Sequence, residues 1–206
     1  MKFHRSLFPY LTAVILLLLI AIFSPWLTPQ DPYAQDLAQA LMPPSADHLL
    51  GTDRYGRDIL SRIIIGSQTT LCASLLLLIF IALTGSLIGA LCGLKGGRTD
   101  ILLMRLADVF LAFPEMVFAI AVAGILCGGL IQAAIALALI GWPKYARLAR
   151  GLVLTIRSTP YFAAARMSGT GKIGLLCHHV FPNIAGPILV TAALNVGTII
   201  MELAGL

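Results

Sequence analysis

The sequence predicts an all-α fold, a polytopic bundle of membrane-spanning helices, and three features point to it. Of its 206 residues 59% are hydrophobic and only 11% are charged, giving a mean hydropathy of +0.94. Three apolar runs, from Leu7 to Leu27, Leu71 to Leu94 and Pro187 to Leu206, reach the roughly 20 residues that a helix needs to cross a bilayer. The 14 basic residues lie outside these runs, two before the first and twelve between them, a distribution that speaks for membrane topology rather than for a nucleic-acid surface. This composition excludes a disordered chain, which needs low hydrophobicity and high charge, and a disulfide scaffold, which needs dense cysteine. Cys72, Cys92, Cys127 and Cys177 have no zinc-binding spacing and are taken as small apolar residues.

Residues 1–28 are expected to form a signal-anchor helix. Lys2 and Arg5 precede an apolar run that is too long for a cleaved signal, and Ser24-Pro25-Trp26 stands where a small-residue cleavage site would be needed. Residues 29–66 follow as an external loop. It starts among Pro25, Pro29 and Pro32, passes Pro43-Pro44, and carries an Asp/Arg alternation from Asp53 to Arg62 that can pair with itself, with Thr52 or Asp53 as the cap of a short helix. Two uses of this loop stay open: a structured surface, or a docking face for whatever brings substrate from outside.

Residues 67–206 are expected to form the helical core. On the second run Gly85, Gly89 and Gly93 make a stripe along which another backbone can approach, either within the chain or from another subunit. Lys95-Gly96-Gly97-Arg98-Thr99-Asp100 reads as a turn into a capped helix. The stretch from Met116 to Trp142 is uncharged, and loop charge decides how it is used. A hairpin broken at Gly128-Gly129 puts eleven of the 14 basic residues on the N-terminal side of the membrane, leaving Arg54, Arg57 and Arg62 opposite; a single crossing would not. Its helices must then recruit Ile101 to Glu115 and Pro143 to Arg150, with Arg105 and Asp108 pairing at i,i+3 and Pro114 as a kink. Five crossings result, and because the last ends at Leu206 without a polar flank, at least one more helix is expected.

The loop at about 150–183 is too long and too rich in small residues for a connector. Pro160 starts a helix there, Ala163, Ala164 and Ala165 propagate it, and Gly169 or Gly171 ends it. Such a helix suits either a groove on a soluble partner or a plain surface position. His178-His179 point about 100° apart on a helix and are not expected to chelate one ion. No catalytic constellation or metal site is assigned. GxxxxGK[ST] is absent from the sequence, so ATP is not hydrolysed here by that route. Within the spans Glu202 and Asn195 are the pathway candidates, with Gln132, Met116 and Met201 as further polar or soft groups; Glu202 is either functional or at the outer interface.

The core LGTDxxGRDxxSR between Leu50 and Arg62, and the segment from Tyr161 to Asn183, resemble the inner-membrane permease subunits of the peptide/nickel class of bacterial ABC importers, specifically the second permease of each pair. Trp142, Tyr145 to Leu148, Gly97 to Asp100 and Arg105 to Asp108 also fit. The resemblance implies a type I importer permease with five of six spans present, in the inner membrane with its N-terminus cytoplasmic. It implies a second homologous permease, two ATPases that use ATP and Mg, a periplasmic solute-binding protein, membrane lipid and no nucleic acid as partners, and no cofactor or enzymatic activity in this chain. Gly51, Thr52, Asp53, Gly56, Arg57 and Asp58 form the periplasmic motif. Ala163, Ala164, Ala165, Arg166, Gly169 and Pro182 fall on the loop that couples such permeases to the ATPase, with Ala163 where a glutamate is usual. Met167-Ser168-Gly169 leans toward nickel-type members, so nickel, a nickel chelate or short peptides are the expected cargo. The rival class is a stand-alone channel or scaffold without an ATPase.

Overall fold

A computed structural model describes residues 3–126 and 128–206; the expectations for Lys2 and Cys127 lie outside the described residues. The chain divides into two compact units, Met1–Cys72 and Ala73–Leu206.

The first unit opens with α1 (Phe3–Leu27), 25 residues in which Leu11, Ile15 to Leu19, Ile22 and Leu27 are exposed, as a lipid-facing helix requires. A loop containing one 3-10 turn, Leu37–Gln39, leads to α2 (Ile59–Lys95). This helix starts a dozen residues before its apolar run. The cap that starts it is Asp58, not Thr52 or Asp53: Asp58 Oδ2 accepts from the Ser61 amide at 2.7 Å and from the Ser61 hydroxyl at 2.6 Å, which satisfies donors that a first turn leaves free.

The second unit takes up the remainder of α2, then α3 (Gly97–Leu111), α4 (Glu115–Ile125), α5 (Leu130–Arg157), α6 (Pro160–Met167) and α7 (Lys172–Gly205). Its centre is α5, packed against α3, α4 and α7. Ala133, Ala136, Leu137, Ile140, Ala146, Ala149 and Val153 are all buried, following the 3.6-residue period. The glycine stripe of α2 lies on this face. A methyl group built on Gly85 would meet the Trp142 carbonyl, on Gly89 the Ala146 backbone, and on Gly93 the Val153 Cβ at 2.8 Å. The stripe is therefore used inside the chain, and Arg157 ties its end by donating to the Gly93 carbonyl at 2.5 Å.

The expected break at Gly128-Gly129 falls between α4 and α5, with φ of +74° and +116°. The recruited flank differs. Residues 101–115 do not extend α4; α3 and α4 are bent by 89°. Pro114 is extended at ψ 120°, lacks an amide to donate, and disfavours helical geometry at Phe113. Asp108 also takes a different partner, Arg147 of α5 rather than Arg105, and Asp100 receives a bidentate Arg150 at 2.5 and 2.7 Å. Among the described residues three helices, Pro9–Leu27, Ile59–Lys95 and Lys172–Gly205, are long and apolar enough to cross, and the bent α3–α4 pair is a fourth if it counts as one span. Much of the loop expected at 150–183 is helical: α5 runs to Arg157, and α7 begins at Lys172.

Near its start α7 widens into a π-helical turn, Leu175–Val180. Pro182 follows and has no amide for the His178 carbonyl, so the ladder loosens there. His178 turns its ring back to the Gly174 carbonyl, 3.2 Å away. Cys92 is buried in the core, while Cys72 and Cys177 are exposed.

Replacing Gly89 with Leu forces α2 off α5 and is expected to cost about 3 kcal/mol or to prevent stable folding. Gly151→Ala, whose new methyl group meets nothing within 4 Å, is expected to be neutral or to stabilise by up to about 1 kcal/mol. Thermal unfolding in detergent compares the two.

Candidate functional site

Three groups of residues bear on function, and each is positioned by a different part of the chain.

The first lies in the loop before α2. Thr52 and Asp58 form an isolated antiparallel bridge, and the turn between them places Gly56 at φ +73°, where any side chain would strike the Asp36 backbone. Asp53 organises the turn. Its Oδ1 accepts from the Tyr55 and Arg57 amides at 2.8 and 3.1 Å, and its Oδ2 meets Arg57 Nε at 2.8 Å and Arg62 Nη1 at 2.6 Å. Arg54 and Arg57 sit over the Tyr55 ring at 4.9 and 4.7 Å. The Asp/Arg alternation thus does pair with itself, and burial's upward push on Asp53 is overridden by these donors, which hold its carboxyl well below the usual carboxylate range.

Asp58 is more deeply placed. Buried His48 donates from Nδ1 to Asp58 Oδ1 at 3.1 Å, and its Nε2 lies 2.9 Å from Gln39 Oε1. The Thr52 hydroxyl donates to the Gln39 carbonyl and accepts from the Met42 amide at 2.9 Å. Burial raises the Asp58 carboxyl, but the Ser61 hydroxyl and amide and then His48 outweigh it, leaving it below the ordinary 3.8. The side chains of Thr52, Asp53, Arg57 and Asp58 are all engaged in holding their own loop together.

The second group is a polar cavity of about 30 Å³ inside the second unit, the room of about one water molecule. It brings together Glu115, Lys144, Tyr145, Asn195, Thr198 and Glu202. Lys144 Nζ donates to Asn195 Oδ1 at 2.8 Å, and Asn195 Nδ2 donates to the buried Tyr145 hydroxyl at 2.9 Å. Asn195 and Glu202, seven residues apart, share one face of α7. Glu115 and Lys144, which fall in the flanks that the hairpin recruits, line this cavity while staying exposed themselves. Gln132 lies instead beside Gly129 and Met116 beside Gly205, while Met201 is exposed.

The third group is α6. Pro160 stands at its first turn and Gly169, at φ +83°, follows its end. Phe162 is buried and anchors the helix, leaving Ala163, Ala164, Arg166 and Met167 exposed and Ala165 partly covered. Asn183 Nδ2 donates to the Tyr161 hydroxyl at 2.9 Å and to the His179 carbonyl at 2.6 Å, which fastens α6 to α7. Pro182 lies within α7.

Residues 85–206, from the glycine stripe through this helix and the polar cavity, match the family described as binding-protein-dependent transport system inner membrane component. The chain belongs to that family. Residues 11–44 also match the N-terminal transmembrane domain of oligopeptide transport permease C. The probable D,D-dipeptide transport system permease protein DdpC of Escherichia coli K12 is 42% identical over 193 residues, covering 94% of this chain and 65% of that protein. The nickel transport system permease protein NikC of the same strain is 38% identical over 196 residues, 95% and 71%. The oligopeptide transport system permease protein OppC of Bacillus subtilis is 37% identical over 190 residues, 92% and 62%. The chain thus spans 65% of DdpC, 71% of NikC and 62% of OppC. The family is one of membrane transport components, not enzymes, and its members and the apolar helices here make this a multi-pass inner-membrane protein.

Asp58→Ala removes a helix cap and the partner of a buried imidazole and is expected to destabilise the loop by about 2 kcal/mol. Because the Asp58 carboxyl is lowered, its contribution is complete above 3.8 and disappears as pH falls below that value through the lowered one. Amide hydrogen exchange of residues 48–62, followed from about pH 6 to about pH 3, should show loop protection falling at the acid end in the parent and losing that step in Asp58→Asn.

Proposed function

We propose that this chain is the permease subunit of an ATP-driven importer that moves nickel, a nickel chelate or short peptides inward across the membrane. It pairs with a second homologous permease, takes cargo from a periplasmic binding protein, and draws energy from two cytoplasmic ATPases that use ATP and Mg, while holding no cofactor itself. The observation that carries this reading is the exposed Ala163–Ala164 face of α6, anchored by Phe162 and continuous through Tyr161 and Asn183 with α7. A helix without bulk on its outer face fits a groove on a soluble motor by shape, all the more so with Ala163 in place of a charge.

Nucleotide binding favours one arrangement of the ATPases, and whatever they grip is biased with them by the difference in binding free energy. Movement of α6 acts on α7 through the Tyr161–Asn183 bond, and α7 carries Asn195 and Glu202. These two residues, with Lys144 and Glu115, form the polar part of the pathway. The periplasmic motif, Gly51 to Asp58, sets the outer loop that faces the binding protein. The names of the relatives span D,D-dipeptide, nickel and oligopeptide systems, which supports this range of cargo and does not favour a stand-alone channel. The N-terminus is cytoplasmic in this reading, with α6 on the same side.

Ala164→Trp places a bulky group on an exposed site and is expected to lower retention of the ATPase in a pull-down at least about tenfold, with helical content unchanged. Asn195→Leu should instead abolish uptake while the ATPase is retained. Retention that survives Ala164→Trp removes the role given to α6.

With the native cysteines replaced by alanine, Arg54→Cys should be labelled by an impermeant thiol reagent from outside intact cells, and Met167→Cys only after the membrane is opened. Labelling of both from one side overturns the assigned orientation.

A further inference from the structure

A second cavity of the Ala73–Leu206 unit, of about 550 Å³, is unrelated to the polar pathway and falls in the size range of ligand sites. Lys95, Arg157, Arg166 and Lys172 line it, and no acid does. Arg157 bonds a backbone carbonyl; Lys95, Arg166 and Lys172 have no ion pair among the described residues. Its walls are apolar, built by Leu91 and Leu94 of α2, Phe162 of α6, and Leu175 and Leu176 of α7.

Two features identify what would neutralise these cations. Lys95 is the last residue of α2, a helix of crossing length, so the charged part lies where that span leaves the hydrocarbon, at headgroup depth. In addition, Leu76, Phe80, Leu83, Leu87 and Leu91 are all exposed and follow one another at helical spacing, so an apolar stripe runs along α2 and ends in the cavity wall. An acidic peptide would satisfy the four cations and leave this stripe without a partner. A phospholipid satisfies both: its phosphate sits among the cations and an acyl chain follows the leucines.

We propose that this cavity is a binding site for an anionic phospholipid. Lys95 and Lys172 hold the headgroup phosphate and Leu91 begins the path of an acyl chain.

The test is native mass spectrometry of the delipidated full chain, titrated with dioleoyl phosphatidylglycerol and, separately, with dioleoyl phosphatidylcholine. The glycerol lipid is expected to be retained at an at least about tenfold lower concentration. Lys95→Gln with Lys172→Gln should erase that preference, while the double Lys→Arg variant should keep it. Inorganic phosphate added in excess should leave the lipid bound. Equal retention of the two lipids, a preference that survives the double Gln change, or displacement by phosphate alone overturns the proposal. Leu91→Trp fills the wall and leaves every cation in place; it should also lose the lipid, and full retention counts against the site. A photo-crosslinker at position 173 should capture lipid in membranes, and capture of an ATPase instead assigns the surface to protein docking and overturns the lipid site.

Discussion

Everything in the larger unit is arranged around the direct approach of α2 to α5. Lipid offers apolar side chains no reason to prefer another helix over itself, so helices that stay together in a membrane do so by closeness and polar contacts. Gly85, Gly89 and Gly93 supply the closeness, because nothing but hydrogen stands between one backbone and the other at Trp142 and Ala146. The facing side of α5 answers with the backbone at Trp142 and Ala146 and with Val153. With that contact made, α5 can serve as the axis on which α3, α4 and α7 pack.

The polar contacts follow the same axis. Arg147 and Arg150 of α5 hold Asp108 and Asp100 of α3, Lys144 and Tyr145 hold Asn195 of α7, and Arg157 closes on α2. Successive positions on one helix thus reach three neighbours. Charges that lie near hydrocarbon are costly unless paired, and pairing them to a common helix makes the same bonds define the arrangement. The break at Phe113–Pro114 belongs with this. Only because α3 turns away from α4 do Asp100 and Asp108 come alongside the basic end of α5.

Much of this was legible in the sequence. Apolar run length marked the long helices, Gly128-Gly129 marked the α4–α5 turn, Pro160 and Gly169 bracketed α6, and the four-residue glycine spacing announced a close contact. What escaped was long-range partnership. The pairing of Asp108 with Arg105 at i,i+3 was locally sound, yet the actual partner stands 39 positions away on another helix. Lys144 and Glu115 entered only as part of the recruited flanks, which says nothing of the cavity they border; the seven-residue spacing of Asn195 and Glu202 was the available clue. Asp58 was passed over as a cap in favour of Thr52 or Asp53, which stand six and five residues earlier in the turn, whereas α2 begins at Ile59.

The π-helical turn at Leu175–Val180 has a bearing on everything beyond it in α7. One extra residue in that turn sets the angular phase of the helix back by about 100° relative to an unbroken α-helix. Asn195 and Glu202 line the cavity with Lys144 and Glu115 in the phase so set. Were the turn to relax to regular winding, the same two side chains would swing about a quarter-circle away from Lys144 and Glu115, so a local change in winding next to α6 is geometrically equivalent to turning the far end of α7.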